Sequence, residues 1–243
     1  LIPYYSVLDD NKDFTFTPSI FENNLQMVQN EYREINKNSK FHSNFGFVNK
    51  YKSNLDTKKN SIFNLFLEYE LDLKLDKFNS SNFFLSVEKV TNDTFLKIFE
   101  THFQDNKLKP ADSNNLKSEI KFLLDDANSS FNTGIVSYEN LQKSNNDRYE
   151  YVFPYYNYST TLSEDFFNGN LNFSSSGNNF LSNTNQLKSS VNNNLKFNSK
   201  EFIWLNGVEN SFEINTKNLN SVGKNNSEYK SSPQIELMSE LNL

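Results

Sequence analysis

The run Phe63-Asn64-Leu65-Phe66-Leu67-Glu68-Tyr69-Glu70-Leu71-Asp72-Leu73-Lys74-Leu75 decides the fold class. Phe63, Leu65, Leu67, Tyr69, Leu71, Leu73 and Leu75 hold the odd positions, while Asn64, Glu68, Glu70, Asp72 and Lys74 hold the even ones. Successive side chains of a strand point to opposite faces, so a period of two makes a ribbon with one oily and one charged side. A helix needs an apolar spacing of three to four and would scatter these leucines around its circumference. Only Phe66 interrupts the polar row. As one strand the run extends for roughly 43 Å, long for a soluble domain and suited to a barrel wall that projects beyond a membrane.

Weaker copies of the pattern lie on both sides. Phe14, Phe16, Pro18 and Ile20 alternate with Asp13, Thr15, Thr17 and Ser19, and Phe41, Phe45 and Phe47 alternate with His42, Asn44 and Gly46. Leu116, Ile120, Phe122 and Leu124 alternate with Lys117, Glu119 and Lys121. Leu187, Val191, Leu195 and Phe197 share a face, as do Ile235, Leu237, Leu241 and Leu243. Roughly ten to twelve strands are expected, in one antiparallel all-β domain over 1–243 with no helical stripe or βαβ alternation.

Polar segments rich in Asn, Asp, Ser and Gly read as the hairpin connections. They are Asp9 to Lys12, Asn36 to Asn38, Ser53 to Asn60, Phe78 to Ser81, Gln104 to Asn115, Ser144 to Asp147, Asn178 to Asn185 and Asn225 to Ser232. Asp93 to Phe103 reads as a short helix or a strand on the loop side. Short connections alternating with long ones suit an outer-membrane barrel.

Composition narrows the function classes. The chain has 243 residues, a net charge of −6, no cysteine, two histidines and six glycines. Asn is the commonest residue and Arg33 and Arg148 are the only arginines, as in a protein of an AT-rich genome. No run approaches the roughly 18–20 apolar residues of a membrane-spanning helix. An acidic balance argues against nucleic-acid binding, which uses basic patches. His42 and His102 without cysteine offer no zinc or Cys-His site of ordinary type, and no phosphate loop or nucleophile elbow occurs among the glycines. The acidic pairs Asp9-Asp10 and Asp125-Asp126 lack the ligand spacing of a calcium loop. No catalytic residue, cofactor site or metal site is therefore expected, and His42 reads as a polar-face side chain.

Periodicity alone leaves two placements open. A soluble sandwich buries its apolar face, whereas a membrane barrel turns it to lipid and lines its lumen with the polar one. The strand lengths, the many hairpins and an aromatic cluster that includes Tyr4, Tyr5, Tyr149, Tyr151, Phe153 and Tyr158 favour the barrel, because Tyr and Trp concentrate at membrane interfaces.

The N-terminal motifs carry a family resemblance. Ile2-Pro3-Tyr4-Tyr5, then Asp13-Phe14-Thr15-Phe16-Thr17-Pro18, then Asn30-Glu31-Tyr32-Arg33 resemble, in order and spacing, the "iPYY... D.T.tP... eYR" signature of the lipopolysaccharide-assembly outer-membrane family LptD, also called the organic solvent tolerance (OstA) family. Phe153-Pro154-Tyr155-Tyr156 is a less specific echo. The resemblance implies an internal stretch of a barrel in the outer membrane of a Gram-negative bacterium, without the periplasmic N-terminal domain and the strands that close the barrel. It implies no enzymatic activity. The implied partners are lipopolysaccharide, an LptE-like lipoprotein plug, a periplasmic Lpt bridge that acts through the N-terminal domain, and membrane lipid. Pro18 matches a family proline near the lateral gate, where a residue that cannot donate a ladder hydrogen bond weakens pairing. Another outer-membrane transporter or porin and a soluble β-rich surface adhesin are the alternatives.

Overall fold

A computed structural model describes residues 2–21, 24–52, 61–103, 106–183, 186–204, 207–225 and 228–242. The chain is all-β apart from a few short helical turns. Among the described residues 14 strands form one antiparallel sheet in which nearly every strand pairs with its neighbour in sequence. The sheet is not closed: the strand order starts at β1 (Tyr4–Asp9) and ends around β13 (Val208–Asn225), which also pairs β12 (Phe202–Trp204) and β14 (Glu228–Asn242).

The described residues hold 14 strands where ten to twelve are expected, and two segments read as turns are largely strand, which lengthens the flanking strands without adding to their number. Asn178 to Ser182 continue β10 (Gly169–Ser182), paired residue by residue with Ser190 to Gln186 of β11 (Gln186–Ser199). Asn225 and Glu228 are partners, so β13 and β14 run almost to their shared turn. Asn and Ser are turn formers by propensity, but here they hydrogen-bond along the sheet: the Ser190 hydroxyl donates to Asn178 Oδ1 at 3.2 Å. The turns at Asp9 to Lys12 and Asn36 to Asn38 lie where expected, while Ser53 to Asn60 and Leu243 fall outside the described residues.

Two compact units divide the chain. The first comprises Leu1–Leu73, Asn82–Ile120 and Val136–Tyr149. It holds β2 (Lys12–Ile20), β3 (Gln26–Ile35), β4 (Ser39–Asn49) and β5 (Ser61–Asp72), most of β6 (Ser80–Val90), and parts of β7 (Asn115–Asp125) and β8 (Ser129–Asn140). The decisive run of the sequence is β5, which stops at Asp72, just before Lys74 turns to a positive φ of 51°.

Register places the apolar rows of β2 to β6 on one face. Phe14 is opposite Tyr32, Pro18 opposite Val28, Phe47 opposite Phe63, Phe41 opposite Tyr69, and Tyr69 opposite Leu85. The other face carries Asp13 opposite Arg33, His42 opposite Glu68, and Lys40 opposite Glu70. The core of this unit lies on the polar face. There Met27, Val48, Ile62, Phe66, Val90 and Leu116 meet Phe95, Leu96, Phe99, Phe103 and Leu108 of the β6–β7 connection.

Gly46, on the polar face opposite Asn64, fits because it has no side chain. A Cβ there would collide with Asn64 Oδ1, whose side chain is fully buried and whose amide donates to Asn44 Oδ1 at 3.1 Å. Gly46→Ala is expected to cost about 1–3 kcal/mol by overpacking, read as a lowered denaturation midpoint of the full-length protein.

The second unit comprises Lys74–Ser81, Lys121–Ile135 and Glu150–Leu243. In it β9 (Tyr149–Ser163), β10, β11, β13 and β14 form long hairpins. Leu171 faces Phe197, which faces Ile214, and Leu195 faces Thr216, which faces Leu237, so the apolar residues again share one side. Ile235 on that side is 78% exposed.

Candidate functional site

The polar face of β2 to β5, with the segment that folds over it, is where the first unit concentrates chemistry. Its charges are paired across strands: Arg33 Nε donates to Asp13 at 2.9 Å, His42 Nε2 lies 2.7 Å from Glu31, and Lys40 Nζ lies 3.3 Å from Glu70. Such half-exposed pairs contribute at most about 1 kcal/mol each and serve mainly to make this face compatible with water. Two residues of the N-terminal motifs thereby meet, since Asp13 and Arg33 are direct register partners. Tyr4 likewise stands opposite Phe16.

Residues 91–114 connect β6 to β7, and within them Phe95–Ile98 is α1 and Glu100–His102 a turn of 3-10 helix. Phe95, Phe99 and Phe103 recur every four residues, which puts their rings on one side. All three are buried. Phe99 meets Phe21 edge-on at 5.8 Å between ring centres, and Phe103 meets Phe66 at 5.8 Å. Burial of five apolar side chains, at about 1.5–3 kcal/mol each, is what holds the segment down. Phe66, the residue out of place in the polar row of β5, is its docking partner and is 0% exposed.

A charge cluster ties down the base of the segment. Arg148, in the 3-10 turn Asn145–Arg148, donates from Nη2 to Asp93 at 2.7 Å and from Nε to Glu139 at 2.7 Å, and Lys89 reaches Glu139 at 2.7 Å. The hydrogen bond to Asp93 is the main reason that the guanidinium is held still more firmly protonated than usual.

Between the segment and the strands lies a polar cavity of about 290 Å³ lined by Thr15, Thr17, Gln29, Glu31, Asn44 and His102, among others. Gln29 is 8% exposed, and its Nε2 has no hydrogen-bond partner among the described residues. His102 packs against Phe21 with the rings tilted and their centres 5.1 Å apart, and burial pushes its pKa below the ordinary imidazole value. With the folded-state pKa below the unfolded one, the docked segment has its full stability above pH of about 6.5 and loses part of it as pH falls through that value. Amide hydrogen exchange at Phe99 and Phe103, corrected for intrinsic rates, is expected to quicken between about pH 7 and pH 5, and His102→Phe to abolish that dependence.

The opposite, apolar face of the same strands carries no covering segment among the described residues. Phe63 there is 40% exposed. Across it runs a ladder of rings, Tyr32 to Phe41 at 5.8 Å, Phe41 to Tyr69 at 6.3 Å and Tyr69 to Phe83 at 6.2 Å, one ring from each of β3 to β6. The second unit has a shorter ladder of Phe131, Tyr158 and Phe173, each step 6.4 Å. Of the aromatic residues singled out in the sequence, Tyr158 joins a ladder, while Tyr149 turns its hydroxyl to Glu139 at 3.1 Å.

Pro18 is exposed on β2 opposite Val28, two residues beyond Phe16, where the pairing of β1 with β2 ends. His42 is on the polar face as expected. Asp125 and Asp126 belong to the β7–β8 hairpin end, where Asp125 accepts from the Ser130 hydroxyl and the Asp126 amide donates to the Ser129 carbonyl. Among the described residues no group of three or more His, Cys, Asp or Glu is placed to hold a metal ion, and no helix is long and apolar enough to cross a membrane. No protein-family model matches the chain, and no curated protein matches it.

Proposed function

We propose that this chain is part of the β-barrel wall of an outer-membrane protein that carries lipopolysaccharide to the outer leaflet of a Gram-negative bacterium and inserts it there, without an enzymatic step. The observation that carries the membrane reading is the uncovered apolar face of β2 to β6. In water such a face would be a patch far larger than monomers leave open, and in a soluble sandwich a second sheet would cover it. Lipid is the cover that fits, and the aromatic ladders match the girdles at which rings meet the headgroup level. The polar face, with its paired charges, is then the lumenal side.

The lipopolysaccharide assignment is supported by the N-terminal motifs. Their residues fall on three adjacent strands, β1 to β3, and the motif aspartate and arginine are ion-paired partners. In this reading Pro18, beyond the paired part of β1, belongs to the gate region through which lipid leaves, an LptE-like lipoprotein sits against the lumenal face, and a periplasmic Lpt bridge delivers the cargo.

The full-length protein tests this. It is expected to need detergent for solubility, to show heat-modifiable electrophoretic mobility, to co-purify with an LptE-like lipoprotein, and on depletion to deprive the cell surface of lipopolysaccharide. Free solubility without detergent would overturn the barrel. A heat-modifiable barrel whose depletion leaves surface lipopolysaccharide intact would instead favour a porin.

A further inference from the structure

We propose that Phe95–Phe103 is a resident plug that obstructs the aqueous side of the sheet in the first unit. This rests on reading the polar face as the lumenal side of a membrane wall. A hairpin connection needs only about two to five residues, yet the β6–β7 connection, residues 91–114, is far longer and folds onto the polar face. That face carries a footprint made for it: Met27, Val48, Ile62, Phe66 and Val90 are apolar where their neighbours along the same rows are Gln29, Asn44, Asn64 and Glu88. Rings from the segment, at positions 95, 99 and 103, close on that footprint from above. Asp93, held by Arg148, fixes the hinge end where the segment leaves the sheet. A segment that merely linked two strands would have no use for either device. Ile98, half exposed on α1, and exposed Lys97 lie off the docked side.

Conductance of the full-length protein in planar bilayers of phosphatidylethanolamine and phosphatidylglycerol, read beside trypsin cleavage at Lys97, tests the plug. The wild-type protein is expected to resist cleavage and conduct little. Phe99→Asp with Phe103→Asp should undock the segment, loosen its backbone so that trypsin cuts at Lys97, and raise conductance several-fold, while Ile98→Asp, which adds a charge on the exposed side, should behave as wild type. Cleavage at Lys97 with unchanged conductance would overturn the plug, and so would a double variant that stays trypsin-resistant. If the double variant loses heat-modifiable mobility, the milder Phe99→Ser replaces it, and cleavage and conductance must then rise together or the inference fails. A wild-type protein that never enters bilayers overturns the membrane reading itself, a result distinct from a barrel whose conductance ignores the segment.

Discussion

Leu67→Arg is expected to cost the full-length protein about 2–4 kcal/mol in folding into a bilayer if Leu67 sits near the midplane. Leu67 lies in the middle of β5 on the uncovered apolar face, opposite Ser43 on one side and Val87 on the other. On a water-exposed sheet the same change would stay within about 0.5 kcal/mol, because the guanidinium would be hydrated and little packing would be lost. The two environments thus differ several-fold for one substitution. Urea-driven unfolding from phospholipid vesicles measures it, and Glu68→Arg, one residue along on the polar face, serves as the comparison, with a small effect expected in either environment. A near-zero cost for Leu67→Arg would remove lipid from this face.

The second large effect is expected at Phe66. It is fully buried between the strand and the docked segment, with Phe103 edge-on to its ring. Phe66→Ala removes the ring from a site closed on all sides, a loss of about 3–5 kcal/mol for the lost transfer energy and the cavity left behind. The measurement is the denaturation midpoint together with amide exchange in α1. If exchange in α1 is unchanged in the variant, the segment does not depend on this contact.

The two effects trace back to one stretch of sequence. In 63 to 75 the alternation was legible because strand parity survives any detail of packing, and register then carries it across β2 to β6. Phe66 was visible as an irregularity but not as a docking site, since its partner Phe103 is distant in sequence. The four-residue recurrence of Phe95, Phe99 and Phe103 was the available sign of a helical segment, in a stretch too short for periodicity to separate helix from strand. The turns expected over Asn178 to Asn185 and Asn225 to Ser232 show the opposite failure, since the strand ends fall within them but the strands take up most of their length. There composition spoke for turns, while cross-strand partners made the same Asn and Ser side chains useful within a ladder. The cavity beside Gln29 was not legible at all, because it needs residues from β2, β3, β4 and the connecting segment together.

The two polar faces also differ in what they are made of. In the first unit it carries Asp13, Arg33, Glu31, His42, Lys40 and Glu70. In the second, along β10 and β11, it carries mainly Asn172, Ser174, Ser176, Asn178, Asn192 and Asn194, with Lys196 paired to Glu213 at 2.9 Å. Added salt therefore acts on them unequally: at an ionic strength of about 1 M the Debye length shrinks to about 3 Å, and half-exposed ion pairs lose most of their attraction. Amides and hydroxyls carry no net charge to screen, so along β10 and β11 the surface offered to water keeps its character from dilute medium to brine.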